Sequence, residues 1–68
     1  SDALERESRA GEVLRVLSAS MERVPFKHRQ FIHSMARQYI EAQNKGTTFS
    51  CTPKQLDFLI SLAEGVER

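Results

Sequence analysis

An all-α fold, a small three-helix bundle, is what this sequence predicts, and three observations predict it. Apolar side chains recur at spacings of three and four in three separate stretches. Proline or glycine stands at each gap between those stretches. Nowhere do apolar and polar residues alternate convincingly over the length of a strand. The expected helices cover 2–23, 25–44 and 53–66 of one domain that spans 1–68.

In the first stretch Ala10, Val13, Leu14, Leu17, Met21 and Val24 form one stripe of an amphipathic helix. Asp2 followed by Glu5 offers a capping box, with Asp in place of the usual Ser or Thr. Gly11 interrupts the pattern, at a cost of roughly 1 kcal/mol relative to Ala.

Val24-Pro25 is the first break, since proline disfavours helical geometry in the residue before it. Pro25 itself suits a first helical position, and the second helix follows. Its apolar arc is Phe31, Ile32, Met35, Ala36, Tyr39 and Ala42, with Ile40 at one margin. Asn44-Lys45-Gly46 marks the end, with Gly46 free to adopt the left-handed conformation that closes a helix.

A connector over 45–51 follows, from which Phe49 is expected to enter the core. Thr52-Pro53-Lys54-Gln55 is the clearest start signal in the chain: Thr52 caps, Pro53 fits the first turn and Gln55 reaches back. Cys51 and Leu56 stand where a hydrophobic staple would place them. Leu56, Leu59, Ile60, Ala63 and Val66 make the stripe of the third helix. Phe58 and Leu62 widen it to roughly 200°, more than a surface helix needs. Burying so broad an arc requires the third helix to be sandwiched between the other two; otherwise Phe58 and Leu62 form an exposed docking patch.

Composition narrows the function. No apolar run approaches the roughly 20 residues of a membrane span, and the acidic start, Ser1-Asp2-Ala3-Leu4-Glu5, is no secretory signal. Twenty large apolar groups and a net charge of +1 argue against disorder. Cys51 is the only cysteine, which excludes an internal disulfide framework and a thiolate zinc cluster. An intracellular site, cytoplasmic or nucleoid/nuclear, is expected. The chain opens without Met and reads as a domain that was excised from a larger protein or lost a tag.

Catalysis finds no constellation here: no glycine-rich phosphate loop, no nucleophile elbow, and no carboxylate pair set among apolar neighbours. Not an enzyme, and no cofactor, is the expectation. His28 and His33 are five residues apart and diverge around a helix, so no metal site is expected either. His28 falls on the apolar side and reads as a half-buried histidine.

Charge is the feature that stands out. Residues 1–20 carry net −1, residues 21–45 net +3, and residues 46–68 net −1. Arg29, His33 and Arg37 align down one edge of the middle helix, with Gln30 and Asn44 beside them. Arginine forks suit phosphate oxygens, and the imidazole adds one more donor. Lys27 and Arg23 extend the positive field.

Two resemblances meet at these residues. His28-Arg29-Gln30-Phe31-Ile32-His33, then Ala36 and Tyr39, resembles the helix of the Arg-x-x-x-His domain, over residues 28–39. That resemblance implies binding of single-stranded nucleic acid, with Arg29 and His33 as exposed contacts. Over residues 31–66, an aromatic-led helix, a short loop and Thr52-x-Lys54-Gln55 followed by Leu56, Leu59 and Ala63 is similar to small helical modules of phage and plasmid DNA-processing proteins. It implies a setting in DNA metabolism.

The leading expectation is a non-enzymatic nucleic-acid-binding or DNA-metabolism accessory module. Arg29, His33 and Arg37 would contact phosphates, with Lys27 and Arg23 adding field to the binding surface, without readout of base sequence. The alternative is a protein–protein interaction module or homodimer docking through Phe58 and Leu62, including a regulatory protein of a mobile element. Neither reading involves a membrane.

Overall fold

The computed structural model describes residues 2–68. Its elements are α1 (Asp2–Ala19), a 3₁₀ turn (Met21–Arg23), α2 (Phe26–Lys45) and α3 (Pro53–Glu67). Among the described residues there is no strand, and the domain is an all-α three-helix bundle. No helix is long and apolar enough to cross a membrane.

The first helix is shorter than its apolar stripe. Helical geometry stops at Ala19, and the chain tightens so that Arg23 N–H donates to the Ser20 carbonyl (2.9 Å) and Val24 N–H to that of Met21 (3.0 Å). The cause lies ahead of the turn: Val24 precedes proline and is extended, φ −80° and ψ 132°. Val24 is nevertheless buried, while Met21 is only half-buried against the core.

Pro25 stands one position earlier than expected. With ψ at 136° it precedes the first helical residue, Phe26, rather than occupying that place. At the far end Gly46 takes φ 70°. Gly46 N–H donates to Gln43 O (3.3 Å) and Thr47 N–H to Ala42 O (2.9 Å), the bond pair of a Schellman ending.

The start of α3 carries the reciprocal box. Thr52 Oγ1 accepts from Gln55 N–H (3.1 Å), and Thr52 N–H donates to Gln55 Oε1 (2.9 Å). Thr52→Ala should cost about 1 kcal/mol in urea unfolding, because two amides at the helix start would lose their acceptors or their alignment. An unchanged midpoint would show that this end frays in the native state.

The middle of the bundle belongs to α1, not to the third helix. α2 packs on one side of it and α3 on another, and the α2–α3 backbone approach is slight. Ala10, Val13, Leu14 and Leu17 of α1 are buried between Ile32, Met35 and Ala42 of α2 and Leu59, Ala63 and Val66 of α3. α2 returns antiparallel to α1, which brings Tyr39 against Gly11. α3 runs parallel to α1: one shared cleft sets Asp2, Glu5 and Arg9 beside Pro53, Leu56 and Asp57, and the next sets Glu12, Val13 and Val16 beside Ile60, Ala63 and Glu67.

The connector is held by side chains of α1 rather than by regular backbone pairing. Arg6 Nε donates to Cys51 O (2.7 Å), and Glu7 Oε1 accepts from Phe49 N–H (3.3 Å). Phe49 is buried as expected, edge-on to Tyr39 at 5.4 Å. Cys51 is buried too, and burial pushes its thiol pKa up, opposed by the charge of Arg6. Its thiol donates to the Thr52 carbonyl (3.7 Å), so it serves packing.

Candidate nucleic-acid interface

The water-facing side of α2 is fixed by where its core side points. Ile32, Met35 and Ala42 lie against α1, which leaves Lys27, Gln30, His33, Arg37 and Asn44 exposed. Among the described residues one ion pair is formed, Arg9 with Glu12 on α1 at 3.7 Å. Among the described residues no carboxylate therefore lies within 4.0 Å of Lys27 or Arg37.

Arg29 does not share that freedom. It was expected in the exposed row, but it is half-buried, and its guanidinium turns back on the preceding turn. Nε donates to Val24 O (2.9 Å) and Nη2 to Glu22 O (3.2 Å). Those carbonyls are left without helical partners because the chain has quit α1 for the 3₁₀ turn, and the fork fills them. Arg29 thus fastens the α1–α2 corner and keeps only part of its donor set for anything outside. Arg23, on the turn itself, is exposed but donates Nη2 to the Arg68 carbonyl at 2.8 Å, covering the end of α3.

Phe26 is the residue that sequence reasoning assigned to nothing. It is 84% exposed at the first position of α2, and the Arg29 guanidinium lies over its ring, 5.6 Å from the centroid. That is within the roughly 6 Å at which a cation is drawn to an aromatic face. The signal was present in the spacing. At 100° per residue, Phe26 falls within about 20° of both His33 and Arg37 and opposite the apolar arc.

Phe58 and Leu62 meet a different fate. The Phe58 ring lies edge-on to His28 (centroids 5.0 Å, 82°) and tilted against Phe31 (5.6 Å). It closes the seam between α2 and α3 and remains 37% exposed. Leu62 is half-buried against the core. His28 is half-buried as expected and sits apart from His33. No group of three His, Cys, Asp or Glu side chains suited to a metal exists among the described residues.

No family model, curated protein or solved structure matches this chain. What the surface can do is therefore read from its own chemistry: an exposed helix edge whose cations lie outside ion-pair distance of any carboxylate among the described residues, with amide donors and one open aromatic ring at its head.

Proposed function

We propose that the domain is a non-enzymatic nucleic-acid-binding module, of use as an accessory in DNA metabolism, whose contact surface is the exposed edge of α2. The observation that carries this reading is the pair His33 and Arg37 on one edge of α2, with Lys27 on its flank, all facing water with no carboxylate within ion-pair distance among the described residues. Phosphate oxygens satisfy such a row, and Gln30 and Asn44 add donors beside it. Arg29 serves mainly by holding the corner from which the row starts, and Arg23 contributes field rather than a free fork.

Contacts this few set the strength. Binding of a labelled oligonucleotide should weaken as salt rises, with a log–log slope of about −2 to −3. Arg37→Ala should lower the magnitude of that slope by about 1 and weaken binding alike for all sequences. Affinity that ignores salt, or that survives Arg37→Ala with Lys27→Ala, would sink the proposal.

Docking of a protein partner through the third helix is the second reading, supported by the part of Phe58 that remains exposed. It draws on a smaller apolar patch than the sequence offers, since His28 and Phe31 already take up the ring. Light scattering at rising concentration tests its homodimer form.

A further inference from the structure

We propose that the Phe26 ring is a stacking platform for one unpaired base of a single-stranded nucleic acid, held in position by Arg29. The inference rests on the phosphate-contact reading and adds to it the kind of strand preferred. Single apolar residues on a surface are common and ordinarily need no explanation. This one differs in what surrounds it. The ring is 84% exposed, yet a cation lies over it, and that cation is itself fixed by bonds to the Val24 and Glu22 carbonyls. A flat apolar face is thus presented to water in a set orientation.

Charge decides the occupant. Residues 21–45 carry net +3, with Lys27 next to Phe26 in the chain and His33 and Arg37 two and three turns along the ring's edge of the helix. An apolar partner surface bringing acidic groups would find only the Phe26 ring and Ile40, 57% exposed, set among the cations of that edge. A polyanion with aromatic rings finds both of its parts matched, bases for Phe26 and phosphates for the cations. In a duplex the bases are stacked on one another and no face is open, so the ring can act only on an unpaired strand. Every base has such a face, and the site should tolerate any sequence.

The test uses the full chain at low salt with three labelled probes of equal length: a single strand, a duplex, and an abasic single strand that keeps the phosphates. The protein should bind the single strand more tightly than the abasic strand. Phe26→Ala should abolish that difference by weakening the single strand about 5- to 150-fold, leaving the abasic strand and the duplex nearly unchanged. Phe26→Trp should keep the preference, and, the chain having no other tryptophan, its fluorescence should be quenched by the single strand and not by the abasic one. Circular dichroism should show native helix in both variants, since the ring lies outside the core.

If Phe26→Ala changes nothing while Arg37→Ala weakens all three probes, the platform is overturned and the phosphate reading stands. If no probe binds, both fall together. If Phe26→Ala abolishes self-association and leaves the probes unaffected, the ring is a protein contact and the inference is wrong.

Discussion

Leu17→Ala should bring the domain close to unfolding at room temperature. The side chain is fully buried on α1, the helix that both others use as their support. Removing a buried leucine to alanine costs about 2–5 kcal/mol, through lost transfer energy and the cavity left behind. A chain of this length holds on the order of 3–10 kcal/mol in total. One substitution therefore takes a large share of what exists. Collapse around the gap is restricted, because Leu17 also anchors the first bond of the turn: Ser20 N–H donates to its carbonyl at 3.2 Å. Urea unfolding followed at the helix dichroism band measures the loss. A cost below about 1 kcal/mol would mean that α2 and α3 hold one another without α1, contrary to the packing.

Gly11→Ala should destabilise, although the same change in most helix interiors stabilises by about 1 kcal/mol. A methyl group at Gly11 would overlap the Tyr39 ring at Oη and Cζ. The ring is not free to step aside at no cost: it lies edge-on to Phe49 at 5.4 Å, and its hydroxyl accepts from Gln43 Nε2 at 2.8 Å. Forcing it outward sacrifices both contacts, and overpacking of this kind costs about 1–3 kcal/mol, which outweighs the propensity gain. Gly65→Ala is the control. A methyl group there meets nothing within 4 Å on the exposed side of α3, so it should stabilise by about 0.5–1 kcal/mol. Two identical substitutions with opposite signs, read from the same unfolding curves, would establish the α1–α2 contact. Equal signs would remove Tyr39 from it.

Much of this architecture was legible in the residues themselves. The Thr52 box, the Gly46 ending and the stripes of all three helices are local properties, set by spacing and backbone preference. The end of α1 was not legible, because a 3₁₀ turn keeps Val24 pointing inward just as a continued helix would. Periodicity cannot tell the two apart, although Pro25 was the hint. Nor could spacing say which helix would take the centre: an amphipathic pattern reports how wide an apolar face is, not which neighbour covers it. Phe58 shows this, since its partners are His28 and Phe31 from an element far away in sequence. For the proposed interface, His33 and Arg37 lie on the exposed edge where spacing put them, and Lys27 is exposed on its flank. Arg29 departs because its partners are carbonyls opened by a turn that the sequence pattern did not reveal. Phe26 was missed for a simpler reason: it lies outside the apolar arc and carries no charge, so neither the hydrophobic stripe nor the basic row includes it.

With an odd number of helices and α1 parallel to α3, the polypeptide enters this domain at one pole and departs from the other, across a body 31 Å long. A two-helix hairpin returns its flanks to a common point; this arrangement carries them apart. Anything fused ahead of Asp2 and anything fused behind Arg68 would be kept on opposite sides, with the cationic edge lying lengthwise between them. Copies strung in tandem would then present their edges in succession along one filament, without any linker having to double back.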